Sequence, residues 1–110
     1  MTKEGLGDLE HQVLLAALRL QANAYSAAIV EELEARTGRD VAPAAVYIAL
    51  RRLEDGGYVR SSVKEREARG VTRERRYFDV TARGLALLRT ARARYLRLWE
   101  GLEPLLGGSR

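Results

Sequence analysis

The spacing of apolar residues changes period at Gly56-Gly57, and this switch constrains the fold more than any other feature of the chain. Before it, apolar residues recur every three or four positions, which places them on one face of a helix. After it come two runs of strand-like composition, and then the helical period returns. The first helix is expected over residues 7–21. Leu9, Val13, Ala16 and Leu20 recur at spacings of 4, 3 and 4, and Leu14, Leu15 and Leu18 make further faces apolar. A helix apolar on several sides must be covered on several sides, so it is either a central core helix or one shared between the core and a second copy. A second helix is expected over 25–37, with Ile29 and Leu33 inward, Glu31, Glu32 and Glu34 mostly outward, and Gly38 as its stop. A third is expected over 43–55, because Pro43 suits a first helical position and Val46, Leu50 and Leu53 form one stripe.

Residues 58–64 and 75–80 read as two strands around a charged loop, 65–74, that contains Gly70. Thr81 is a good N-cap for a last helix. There Leu88, Ala91, Tyr95, Leu98 and Leu102 recur at 3, 4, 3 and 4, the seam spacing of a coiled coil, until Pro104 and Gly107-Gly108 end or kink it. Barely two heptads do not associate alone, so this seam needs the first helix, its own or a partner's. The resulting class is mainly α with a small β-hairpin. Three helices with a tight connection between the second and third, then a basic hairpin, give the winged helix-turn-helix layout. The chain is thus expected to be one compact unit, with a winged helix-turn-helix domain over 1–80 and a C-terminal dimerisation helix over 81–106.

Charge points to the partner. Residues 1–55 carry 6 Lys/Arg and 9 Asp/Glu, whereas residues 56–110 carry 13 and 6. Such asymmetry suits a polyanion that meets the second half. In a winged helix the third helix enters the major groove of double-stranded DNA and the hairpin touches the backbone beside it. With Val46, Leu50 and Leu53 turned inward, Ala44, Tyr47, Ile48 and Arg51 face out together. Arg51 can pair with guanine through two hydrogen bonds, Tyr47 can place its hydroxyl on a phosphate, and Ala44, Ala45 and Ile48 can offer apolar contact to a thymine methyl. The competing role for Tyr47 is a half-buried ring that closes the core. In the hairpin, Lys64, Arg66, Arg69, Arg73, Arg75 and Arg76 are candidate phosphate ligands, partly offset by Glu65, Glu67 and Glu74. Arg75 and Arg76 sit nearest the strand and carry most weight, with Lys64 and Arg73 beside them. The basic residues of the last helix, Arg83, Arg89, Arg92, Arg94 and Arg97, read as solvated surface, with DNA contact as the competing role.

Other classes find little footing. Cysteine is absent, which removes disulfides, thiolate nucleophiles and Cys-based zinc sites. His11 is the only histidine and lies in an apolar helix, and the serines have no visible base partner. No enzyme, metal site or cofactor is expected. No apolar run reaches membrane-spanning length and the first residues lack a signal-peptide order, so a cytoplasmic protein without membrane contact is expected. The rival to DNA binding is a winged helix used as a protein-interaction module, since fold does not fix function, and the acid-rich second helix is what favours it.

The block Val41-Ala42-Pro43-Ala44-Ala45-Val46-Tyr47-Ile48-Ala49-Leu50-Arg51-Arg52-Leu53-Glu54-Asp55-Gly56-Gly57-Tyr58-Val59 resembles the recognition-helix block of the PadR family. Ala24-Tyr25-Ser26-Ala27-Ala28-Ile29 is similar to the start of that family's second helix. Arg75-Arg76-Tyr77-Phe78-Asp79-Val80-Thr81-Ala82-Arg83-Gly84 resembles its junction between wing and final helix. The likeness spans about residues 6–100. It implies a homodimeric regulator, usually a repressor, that holds DNA through Tyr47, Arg51, Arg75 and Arg76, with Tyr25 supporting the second helix. It also implies a C-terminal dimerisation helix, and together with the seam spacing this gives an expected pairing of the first and last helices across the dimer, through Leu9, Val13, Leu88, Ala91, Tyr95, Leu98, Trp99 and Leu102. Some relatives hold planar aromatic compounds between dimer-facing tryptophans, so Trp99 is a candidate platform for a small aromatic effector, with plain interface packing as its competing role. The chain departs from the family at the start of the third helix. Ala42 stands where Ser often precedes the Pro, and Ile48 stands where a second Pro is common.

Overall fold

A computed structural model describes residues 6–107; the first five residues of the domain expected over 1–80 lie outside them. The chain runs α1 (Asp8–Leu20), a 3₁₀ turn (Gln21–Asn23), α2 (Ser26–Thr37), α3 (Pro43–Asp55), β1 (Val59–Ala68), β2 (Val71–Val80), α4 (Ala82–Trp99) and the short α5 (Glu103–Leu106). The winged helix-turn-helix order is the one the apolar spacing predicts.

Each element begins and ends for a local reason. At the start of α1 the Gly7 N–H donates to Glu10 Oε1 at 3.1 Å, which satisfies one of the helix's otherwise unpartnered amides. The same carboxylate receives Arg52 Nη1 at 3.3 Å, so it ties the start of α1 to the end of α3. Pro43 opens α3, as its fixed φ allows. At the other end Tyr58 N donates to Leu53 O at 2.9 Å and Gly57 N to Glu54 O at 3.0 Å, the paired bonds of a Schellman stop. Thr81 caps α4 by accepting from Gly84 N at 3.1 Å, and its hydroxyl donates to Gly57 O at 2.6 Å.

The core forms where these elements converge. Val13, Leu14, Ile29, Val46, Leu50 and Leu53 are wholly buried, with Phe78 and Val59 of the hairpin against them. The inward stripe of α3 also includes Ala49, buried alongside Val46 and Leu50. α1 is the central helix and touches α2, α3, α4 and β2.

Three expectations need correction. The charged segment 65–74 is not a loop. β1 and β2 pair through it in unbroken antiparallel register, from Val59↔Val80 to Ala68↔Val71, and turn on Arg69 and Gly70 alone. Both turn residues have positive φ, 55° and 78°, as a two-residue turn matching the strand twist requires. The strand period was present in residues 65–74 but carried by charges instead of apolar side chains. Secondly, α4 stops at Trp99, and the chain turns through Gly101 at φ 80° before α5. Leu102 therefore lies beyond the helix, and the five-residue seam is not continuous. Thirdly, Val13 is 0% exposed and Leu88 7%, so both belong to the protomer's own core and offer little surface to a partner.

Candidate nucleic-acid interface

The outer face of α3 is set by its inner one. Because Val46, Ala49, Leu50 and Leu53 point into the core, Ala44, Tyr47, Ile48 and Arg51 are turned to solvent. Tyr47 is 48% exposed and Ile48 51%, so the tyrosine does not close the core. Arg51 Nη1 donates to Tyr47 Oη at 3.1 Å, and its guanidinium lies 5.9 Å from the ring centroid. The two side chains one helical turn apart thus form a single projecting unit. The hydrogen bond to Tyr47 raises the Arg51 pKa further above its already high value, so this charge is permanent.

α2 does not present the acidic barrier that its composition suggests. Glu32 accepts from Arg36 Nε at 2.6 Å and lies 3.6 Å from Arg19, while Glu34 accepts from Val41 N at 3.0 Å. Two of its three carboxylates are held within the fold, and Glu31 is exposed.

The hairpin carries its charge in an ordered way. Strand neighbours alternate faces and cross-strand partners share one. The register pairs Arg60↔Asp79, Ser62↔Tyr77, Lys64↔Arg75 and Arg66↔Arg73, so these eight residues lie on one face. The other face holds Ser61↔Phe78, Val63↔Arg76, Glu65↔Glu74 and Glu67↔Thr72. Of the residues expected to bind phosphate, Lys64, Arg73 and Arg75 are brought together, and Arg76 is separated from them. Its Nη1 donates instead to Ser61 Oγ at 3.1 Å, and Ser61 Oγ donates to Glu54 Oε2, at the end of α3, at 2.6 Å.

Sequence reasoning missed the aromatic base beneath the cationic face. Tyr77 is 2% exposed and meets Tyr25 edge to face with centroids 5.5 Å apart. Lys64 and Arg66 lie 5.6 and 5.2 Å from the Tyr77 centroid, and Arg75 lies 4.2 Å from that of Tyr25. A bridge between Tyr25 and Tyr77, with Phe78 N donating to Ala24 O at 2.9 Å, fastens the root of the hairpin to the start of α2. Alternation along an unbroken β2 would have placed Tyr77 beside Arg75 and Arg73.

α4 divides in two. Gly84 and Leu88 are buried, whereas residues 92–106 are all exposed. Tyr95 (61% exposed) and Leu98 (72%) line an open groove between α1 and α4 together with His11, Leu15 and Leu18. Leu9 is partly buried against the core, Ala91 is half-buried, and Trp99 meets Tyr95 edge to face at 6.0 Å. Among the described residues no cluster of His, Asp or Glu could hold a metal, and no helix is long and apolar enough to cross a membrane.

A family profile described as transcriptional regulator PadR-like matches residues 14–90, from the middle of α1 through the hairpin into α4. No curated protein matches the chain. Among solved structures, a PadR family transcription regulator from Clostridium difficile is 18% identical, with TM-score 0.75 over 92% of this chain and 100% of its own. A PadR-like regulator from Bacillus cereus is 20% identical, with TM-score 0.72 over 92% of this chain and 93% of its own. A PadR family regulator from Eggerthella lenta is 28% identical, with TM-score 0.61 over 88% and 82%.

Proposed function

Because the chain belongs to the PadR-like family of transcriptional regulators, which bind DNA and are not enzymes, we propose that it is a sequence-specific repressor acting as a homodimer on a near-palindromic operator. The observation that carries this reading is the free outer face of α3, where Ala44, Tyr47, Ile48 and Arg51 stand exposed on a rigid, core-anchored helix. α3 has 13 residues, about 20 Å of helix, and suits a major groove roughly 12 Å wide. Arg51 reads guanine, and Ala44 and Ile48 offer apolar contact to thymine. The cations of the hairpin hold the flanking backbone, which adds affinity without sequence preference.

Two copies pair through α1 and α4. The support is the run of exposed apolar side chains at Leu15, Tyr95, Leu96, Leu98, Trp99 and Leu102, more than a monomer of this size normally leaves in water. Leu9 and Ala91 flank that surface, Val13 and Leu88 support it from within, and Trp99 packs in the interface. The two α3 helices then meet successive major grooves about one helical turn apart. A small aromatic effector stacking on Trp99 would act by shifting the α4 pairing and so the spacing of the two α3 helices.

The test is fluorescence anisotropy of labelled DNA from upstream of the protein's own gene, against a scrambled duplex, across a salt series. Tight, salt-sensitive binding that prefers the upstream DNA supports the regulator. A protein that binds neither duplex but forms a stable protein complex would be an interaction module instead.

A further inference from the structure

The hairpin sorts its charges by face in a way that stability alone does not favour. Lys64 stands directly opposite Arg75, and Arg66 opposite Arg73, so cation faces cation twice on one side of the ribbon. On the other side Glu65 stands opposite Glu74. Like charges directly across a strand pair repel, and exchanging Arg73 with Glu74 alone would set opposite charges across from Arg66 on one face and from Glu65 on the other. None of the ion pairs among the described residues involves Lys64, Arg66, Arg73 or Arg75. Three of these four cations are nevertheless held in place, Lys64 and Arg66 over Tyr77 and Arg75 over Tyr25. Side chains ordered beforehand lose less freedom when they bind. A clustered, unneutralised and pre-ordered set of cations fits a row of phosphates.

Arg76 has the opposite surroundings. It shares its face with Glu65, Glu67 and Glu74, and its guanidinium is engaged by Ser61, which in turn bonds Glu54 at the end of α3. The chain Arg76–Ser61–Glu54 is a strut between the hairpin and the helix whose outer face is free.

Building on the DNA-binding reading above, we propose that the hairpin meets DNA with one face only, that of Lys64, Arg66, Arg73 and Arg75. Arg76 is a positioning residue that sets the angle of the hairpin to α3 through Ser61 and Glu54. The carboxylates Glu65, Glu67 and Glu74 line the face turned away from the phosphates.

Salt dependence separates the two roles. Each phosphate contact contributes about 0.9 to the slope of log K against log salt. Anisotropy on the upstream duplex and the scrambled one is measured for the full chain and for Arg66→Gln, Arg73→Gln, Arg76→Gln and the pair Glu65→Gln/Glu67→Gln. All these positions are exposed, and circular dichroism melts verify that each variant folds. Arg66→Gln and Arg73→Gln should each lower the slope by about 0.9 per protomer and weaken both duplexes alike. Arg76→Gln should leave the slope unchanged and weaken the upstream duplex selectively. Adding Ser61→Ala to it should cause no further loss, because both break the same strut. The carboxylate pair should leave the slope unchanged and shift affinity by no more than about two-fold at 0.15 M salt, since its face is turned away from the phosphates and exposed charges are screened over a Debye length of about 8 Å. A slope for Arg76→Gln that falls as far as that for Arg73→Gln overturns the one-faced contact. So does clearly tighter binding by the carboxylate pair. An unsubstituted chain with no salt-dependent binding to either duplex overturns the regulator reading itself, and this one with it.

Discussion

Replacing Gly84 by Ala should destabilise the protein, although helix propensity alone argues the reverse. Gly84 lies in the first turn of α4 and is buried. A Cβ added there would sit 2.4 Å from the carbonyl oxygen of Tyr58 and 2.9 Å from Val80 Cγ1. A tolerated carbon–oxygen contact is about 3.3 Å, so the two segments must part by roughly 0.9 Å. The Tyr58 backbone cannot give way freely. Its oxygen accepts from Thr81 N at 3.0 Å and its N–H donates to Leu53 O at 2.9 Å, so any retreat strains the cap of α4 or the stop of α3. Overpacking of this kind costs about 1–3 kcal/mol, and loss of one hydrogen bond adds about 1 kcal/mol. The gain from Gly to Ala in a helix is at most about 1 kcal/mol. The net is a loss of about 2 kcal/mol, or a fall in Tm on the order of 10 °C for a domain of this size. Thermal unfolding followed by circular dichroism at one fixed protein concentration measures it, since self-association would otherwise shift Tm. Thr90→Ala, at an exposed position of the same helix, serves as control and should change little. A Gly84→Ala variant as stable as the parent would refute the argument, because it would mean that α4 is not held against the Tyr58 backbone at this point.

Three further outcomes are expected. Gly70→Ala should loosen only the tip of the hairpin: at φ 78° with open space around it, the added methyl meets backbone strain of about 1 kcal/mol and no clash. Amide exchange should quicken at residues 67–72 while global Tm stays put, and a large drop in Tm would count against a tip that opens independently. Arg51→Ala should weaken binding to the upstream duplex by roughly ten-fold or more and to a scrambled duplex far less, as anisotropy reads directly; equal losses would make Arg51 a phosphate ligand and not a reader. Leu98→Glu should shift the protein to monomer in sedimentation velocity without loss of helix content, because Leu98 is 72% exposed in the protomer; a dimer that survives the charge would place the interface elsewhere.

The sequence made the helices legible because their signals are local. Pro43 and Gly56-Gly57 bracket α3, whose bounds are those expected, and Thr81 caps α4. α1 and α2 begin and end within a residue of expectation. The hairpin was half-hidden, since residues 65–67 and 72–74 put charged or polar side chains on both faces and a search for apolar alternation passes over them. The end of α4 was misplaced because Pro104 is a louder stop than the Glu100-Gly101 turn that acts first. Of the candidate site, the outward set on α3 followed from its buried stripe. The division of the hairpin cations did not, because it depends on the cross-strand register, and the register depends on the two-residue turn at Arg69-Gly70. Val13 was assigned to the wrong surface for a similar reason: on a helix apolar all round, spacing does not say which neighbour covers which side.

A sheet of two strands has no interior. β1 exposes one row of unpaired amides and carbonyls, and β2 another beyond the root that Tyr25 and Ala24 cover at Tyr77 and Phe78, which is an invitation for another chain to add a strand. Proteins discourage this with charged side chains along the rim, and this ribbon is covered with them on both faces. The residues that would hold DNA are therefore also the ones that keep the molecules from joining edge to edge. Lineages that abandon the nucleic acid are not free to lose these charges, and their persistence in a descendant would be poor evidence that it still binds DNA.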